Sequence, residues 1–230
     1  MKTQELFEHE QLRFDTYRLL ANAYYLPNQS LLDSLVDLQK CMQQICRESA
    51  VPFKKMQAYI GLKDGMANLT VDYAKLFVGP FSLLAPPYGS VYMEGERMVM
   101  GNSTADVQKR YQATGLDIDA RFKDAPDHIA AELEFMHFLI FKEMEAADQL
   151  DAEGVIKYLE MQRFFLEDHL GAWISEFTDK VVKNAQTDFY QNLARATEAF
   201  VMDDLQMITS LLDSWQYDVE NSLRLESIRA

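Results

Sequence analysis

Two short segments hold the residues whose types and spacing could do chemistry. The first is Asp72-Tyr73-Ala74-Lys75-Leu76-Phe77-Val78-Gly79-Pro80, continuing through Ala85-Pro86-Pro87-Tyr88-Gly89-Ser90-Val91-Tyr92. The second is Pro126-Asp127-His128-Ile129-Ala130-Ala131-Glu132-Leu133-Glu134-Phe135-Met136. In the first, the rings of Tyr73, Phe77, Phe81, Tyr88 and Tyr92 stand close to a proline-stiffened turn. Aromatics and prolines offer contact area at low conformational-entropy cost, which suits a groove for an apolar peptide. On composition alone, the alternative is that these rings plug the core beneath a long loop. The second segment places Asp127 and His128 in the first turn of a helix, where the macrodipole favours an anion and disfavours a protonated imidazole. His128 and Glu132 are four apart on one face, so a carboxylate there could fix the tautomer or favour the charged form. The alternative is a purely structural histidine.

Other chemistries find little support. Glu134-x-x-His137 has the spacing of di-iron carboxylate bundles, but no second Glu-x-x-His accompanies it. A His-Glu-x-x-His zinc motif, a Gly-x-x-x-x-Gly-Lys phosphate loop, a Gly-x-Gly-x-x-Gly fingerprint and a Gly-x-Ser-x-Gly elbow are all absent from the sequence. Cys41 and Cys46 are the only cysteines, five apart and on different faces of a helix, so they read as reduced thiols. No active site assembles, and the expectation is a protein that is not an enzyme and binds no metal.

The elements that must position these segments read as helices. The chain has 230 residues with scarce glycine (9) and proline (6), a balance that favours helix over sheet. Leu6, Leu12, Leu19, Leu20 and Ala23 recur at helical spacing until Pro27. Ser30 can cap a second helix running to about Glu48, and 66–78 reads as another, stopped by Gly79-Pro80. The stretch 81–101 is the least regular. Ser103 with Asp106 resembles a capping box for a helix ending near Gly115. A polar connection, 116–125, is the candidate hinge between an N-terminal half (1–115) and a C-terminal half (126–230) of a single domain. Pro126 then suits a first helical turn, with Ile129, Leu133, Met136 and Ile140 repeating behind it. Asp151 can cap the next helix and Thr187 can open the last. No strand pattern appears, so the fold class is all-α.

The net charge is −14 and the sequence pI about 4.7. Such a field repels nucleic acid and anionic lipid and attracts a basic peptide, although many proteins are acidic simply for solubility. The start, Met1-Lys2-Thr3-Gln4-Glu5, has no apolar run of the secretory kind, and no adjacent arginine pair occurs in the chain. The longest uncharged stretch, 76–93, holds prolines and glycines that would break a spanning helix.

Three motifs in this order carry a resemblance: Tyr73 to Pro80 with its Leu-Phe and Gly-Pro, Pro86 to Tyr92, and Pro126 to Leu133 with its Pro-Asp-His and Glu-Leu. Together they resemble the TorD/DmsD family of cytoplasmic maturation chaperones for molybdenum-containing oxidoreductases. The resemblance implies a TorD-like bundle of about ten helices with an internal hinge. It implies binding of the twin-arginine leader of a molybdopterin oxidoreductase's catalytic subunit in the cytoplasm, before export. It implies Tyr73, Leu76, Phe77, Pro86, Tyr88, Ser90 and Tyr92 as lining or supporting a peptide groove, with Pro126, Asp127 and His128 beside it. Asp127 would pair with a leader arginine. The family also brings weak guanine-nucleotide (GTP) binding and dimers that exchange halves as alternatives to a cofactor-free monomer. Tyr73 stands where some relatives carry tryptophan. The rival readings are a small helical metal- or nucleotide-binding enzyme and a structural helical subunit.

Overall fold

The computed structural model describes residues 3–46, 53–79, 83–95, 99–119 and 122–229, with side chains between 7 and 216. The expected end of the second helix at Glu48, the Pro80 stop, the Phe81 ring and the middle of the 116–125 connection lie outside these residues. The described chain is helical: α1 (Thr3–Ala23), α2 (Leu31–Ile45), α3 (Phe53–Ile60), α4 (Gly65–Tyr73), α5 (Gly89–Met93), α6 (Asn102–Ala113), α7 (Ile129–Asp148), α8 (Ala152–Phe165), α9 (Gly171–Asn184) and α10 (Asp188–Arg229). Wider π-helical turns extend α4 through Ala74–Val78 and join α8 to α9 through Leu166–Leu170. Among the described residues there is no strand, only one isolated bridge between Tyr88 and His128. No helix in them is long and apolar enough to cross a membrane.

Helix α7 is central, as its apolar width predicts: it packs on α1 along one side and α8 along another. It buries Ile129, Leu133, Met136 and Ile140 in one stripe, with Ala130, Phe135 and Leu139 widening it. Helices α9 and α10 pair, α2 packs on α1, and α5 sits against α9 and α6. One hydrophobic cluster takes side chains from both sides of the 116–125 connection, Leu20 and Leu69 from one and Leu139 and Phe177 from the other.

A buried polar network pins this arrangement. Arg13 lies on the inner face of α1 with Tyr17 and Leu20, fully buried. Its Nε donates to Asp204 Oδ1 at 2.6 Å and its Nη2 to Asp204 Oδ2 at 3.1 Å, a forked pairing. The same guanidinium donates to Glu10 and, at 2.6 Å, to Gln162 Oε1, whose amide donates onward to Glu143 at 2.7 Å. Tyr17 adds its hydroxyl to Asp204 at 2.8 Å. One cation thus ties α1, α7, α8 and α10, and its removal would strand buried carboxylates. Burial and the nearby Glu10 charge push the Glu143 carboxyl up to about 7, against the pull of Arg13.

Several helix ends differ from the sequence expectation. Helix α6 is not capped by a Ser103–Asp106 box. Glu94, which lies outside the helix, accepts the N–H groups of Asn102, at 3.0 Å, and Ser103. Ser30 sits before α2, yet its hydroxyl donates to Asn28 at 2.7 Å. Asp151 does cap α8, accepting the Gly154 N–H at 3.0 Å. Helix α10 starts just after Thr187, as expected, and Asp72 of α4 accepts the N–H (2.9 Å) and hydroxyl (2.8 Å) of Thr187.

Candidate functional site

Helix α7 begins three residues later than Pro126 suggests, because Asp127 and His128 are occupied elsewhere. The Ile129 N–H donates to the Pro87 carbonyl at 2.8 Å, and the Gly89 N–H donates to the Asp127 carbonyl at 2.9 Å. The prolines at 86 and 87 stiffen the incoming chain, so this pairing holds two loops edge to edge. Asp127 then turns its Oδ2 to accept the Ser90 N–H at 2.7 Å, opening α5. Tyr111 of α6 donates its hydroxyl to the Pro126 carbonyl at 3.0 Å. Gly89 permits a close approach: a Cβ there would stand 2.8 Å from Nε1 of Trp173. That indole N–H donates to Glu132 Oε2 at 3.0 Å. Burial, with the Asp127 charge adding, holds the Glu132 carboxyl well above the ordinary carboxylate range despite this hydrogen bond.

His128 caps α7 rather than sitting in its first turn. Its Nδ1 accepts the Ala130 N–H at 3.1 Å, so Nδ1 carries no proton and Nε2 does. Burial pushes its pKa down to about 4, against the pull of Asp124 and Asp127. The imidazole is therefore neutral at pH 7. The expected pairing with Glu132 is not made, since that carboxyl turns to Trp173.

The structure divides the ten candidate residues. Pro86, Tyr88, Ser90, Pro126, Asp127 and His128 meet at this junction, where Asp127 is 1% and His128 3% exposed. Ser90 Oγ and Asp127 Oδ1 are both buried there without a hydrogen-bond partner. Leu76 and Phe77 lie instead in the core, Phe77 meeting the rings of Tyr24, Phe177 and Tyr190 at 5.5–6.1 Å. Tyr73 is half-buried beside Phe77, at 5.3 Å. Tyr92 links the groups: its ring stacks on Trp173 at 5.5 Å and its hydroxyl donates to the Pro86 carbonyl at 2.8 Å. Glu134 accepts the Tyr25 hydroxyl at 2.8 Å and His137 Nδ1 meets the Phe14 carbonyl at 2.9 Å, so the two do not share a site. Among the described residues no group of histidine, cysteine and carboxylate side chains is placed to hold a metal.

Sequence reasoning passed over the open space beside this junction. A cleft of about 350 Å³ runs between residues 116–119 with Phe122 and the flank of α7, lined by Leu116, Ile118, Phe122, Phe135 and Phe138 together with Asp117, Asp119 and Glu134. The ring of Phe122, which lines the cleft, lies 6.1 Å from that of His128, and the ring of Tyr88 lies 5.5 Å from it, so the cleft adjoins the junction. A signal was available in Ala131, Glu134, Phe135 and Phe138, spaced three, four and seven residues along one helix face.

Comparisons with known proteins agree with the resemblance carried by the three motifs. A chain named as a Tat proofreading chaperone, DmsD, of Haemophilus influenzae is 28% identical over 201 residues, 85% of each chain. A perchlorate reductase assembly chaperone protein of Dechloromonas aromatica is 30% identical over 146 residues, 62% of this chain and 64% of its own. A TorD chaperone of a Psychrobacter species is 25% identical over 66% of each chain. The crystal structure of a chain described as a redox enzyme maturation protein, from Archaeoglobus fulgidus, shares the fold with a TM-score of 0.50 at 22% identity, covering 84% of this chain and 93% of that one. The family model described as nitrate reductase delta subunit matches residues 41–179, more than half of the chain and all three motifs. This chain therefore belongs to the nitrate reductase delta subunit family, the one that its likeness to the TorD and DmsD chaperones indicated.

Proposed function

We propose that this protein is a cytoplasmic chaperone that binds the twin-arginine leader of a molybdenum-cofactor oxidoreductase's catalytic subunit, assists its maturation before export and catalyses no reaction itself. The observation that carries the reading is the family match over residues 41–179, which spans the Pro86–Tyr92 and Pro126–Leu133 motifs. Similar proteins named for Tat proofreading and for reductase assembly support it. The charge of −14 supports it physically, since an anionic surface draws in a leader's arginines and raises the encounter rate. In this reading the junction of α5 with the start of α7 is the framework of the peptide site, 116–125 is the hinge, and no cofactor is needed. An affinity near ~1 μM suits a partner that must later be released.

The test is to purify the tagged chain from its native cell and identify what accompanies it. A molybdoenzyme catalytic subunit with its leader intact is expected, and deleting that leader should abolish the association. Association that survives leader deletion would overturn the leader reading. A stoichiometric metal or tightly held nucleotide with turnover would favour the rival, a small helical enzyme.

A further inference from the structure

We infer that the leader's apolar stretch enters the cleft that Leu116, Ile118 and Phe122 form against α7, while an arginine flanking that stretch pairs with Glu134 on its rim. This deepens the reading just given and rests on it. The Pro-Asp-His motif is too deeply engaged to meet a peptide directly: Asp127 and His128 are buried and their hydrogen bonds serve α5 and α7. The nearest open surface is the cleft. Its floor is Leu116, Ile118, Phe122, Phe135 and Phe138, apolar enough to take two or three side chains of a greasy segment. At about 350 Å³ it lies at the low end of the range for compact ligand sites.

Charge selects the occupant. Three of the lining residues, Asp117, Asp119 and Glu134, are acidic and none is basic. An anionic ligand such as a nucleotide phosphate meets repulsion here, whereas a cation next to an apolar run meets both terms of attraction. Glu134 is exposed on α7, one turn from Phe138, and Tyr25 donates a hydroxyl to its Oε1 at 2.8 Å. That bond orients the carboxylate, and an arginine fork would engage it with charge-assisted hydrogen bonds. Ala131, Glu134, Phe135 and Phe138 share one stripe of α7, so a peptide lying along the helix meets the acid and the rings in series.

The experiment uses the full chain and a fluorescent synthetic peptide with an Arg-Arg pair ahead of about twelve apolar residues. Phe122→Ala should weaken binding by about tenfold, as expected for loss of an aromatic anchor. Glu134→Gln should weaken it several-fold for this peptide and leave unchanged the binding of a peptide with Gln-Gln in place of the arginines. A photo-reactive group in the apolar run should cross-link to 111–122 or 131–138, a readout that does not depend on any variant folding. Wild-type binding with cross-links only elsewhere, and both variants binding as the wild type does, would overturn the cleft assignment and leave the leader reading standing. Failure of the wild type to bind the peptide would overturn both.

Discussion

The two flanks of α7's first turns are built from opposite materials. On one flank the motif residues form a sealed junction, in which Pro87, Gly89 and Ser90 exchange hydrogen bonds with Asp127 and Ile129, and Gly89 presses on Trp173. On the other flank Phe122, Phe135 and Phe138 face an open cleft edged by Asp117, Asp119 and Glu134. The junction directs the Asp127 carboxylate and the His128 ring to backbone N–H groups of α5 and α7, whereas the cleft is lined by apolar rings and acidic side chains. On the proposed reading, the family signature marks the framework of the peptide site and the contact residues lie one helix face away.

That contrast breaks most visibly at Trp173. Trp173→Ala removes the indole beneath Gly89 and leaves the buried Glu132 without its donor, so it should cost about 3–5 kcal/mol in denaturant unfolding. A loss under about 1 kcal/mol would mean that the junction does not hold the fold. Asp127→Ala comes next: it strands the Ser90 N–H inside the protein, for about 1–3 kcal/mol. Asp127→Asn keeps an acceptor and should bind the leader within about threefold of wild type, the tenfold scale of a direct charge contact being absent. A complete loss of binding by a folded Asp127→Asn would place Asp127 in contact with the peptide.

His128 sharpens the same point through pH. Its folded pKa of about 4 lies below the ordinary 6.5, so the unfolded chain takes up a proton first. The stability this neutral imidazole contributes is present above about 6.5 and is lost as pH falls toward 4. His128→Asn, which retains a capping acceptor but cannot titrate, should show a shallower fall in stability between those limits; identical slopes for both proteins would refute it. His128→Ala should cost about 1 kcal/mol as a lost cap at neutral pH. The smallest effect belongs to the cleft: Glu134→Gln should change stability by under about 0.5 kcal/mol while still weakening the leader, since Glu134 is exposed.

Much of the scaffold was legible because helices announce themselves locally. Ile129, Leu133, Met136 and Ile140 repeat at helical spacing, Asp151 stands at a cap, and Gly115, with φ of 81°, closes the segment after α6. The Ser103–Asp106 box fails because Glu94, outside the helix, caps α6, and other ties join residues far apart in the chain: Asp72 caps α10 over a separation of 115 residues, and Arg13 finds Asp204 over 191. None of these leaves a periodic trace in the sequence. The site was half legible for the same reason. The sequence singles out the rings and prolines of 73–92 and the Pro-Asp-His run, but whether a ring faces a groove or the core depends on Trp173, Tyr190 and Phe177, far along the chain. The start of α7 slipped from Pro126 to Ile129 because Pro87 supplies the Ile129 N–H with its acceptor.

Methyl-resolved NMR during titration with the twin-arginine peptide addresses the central claim most directly. Leu116 and Ile118 report from the cleft, while Leu76 and Ile129 report from the aromatic core and the junction. The account predicts that the Leu116 and Ile118 methyl signals move saturably with peptide while those of Leu76 and Ile129 hold nearly still. Shifts confined to Leu76 and Ile129, with Leu116 and Ile118 unmoved, would contradict it.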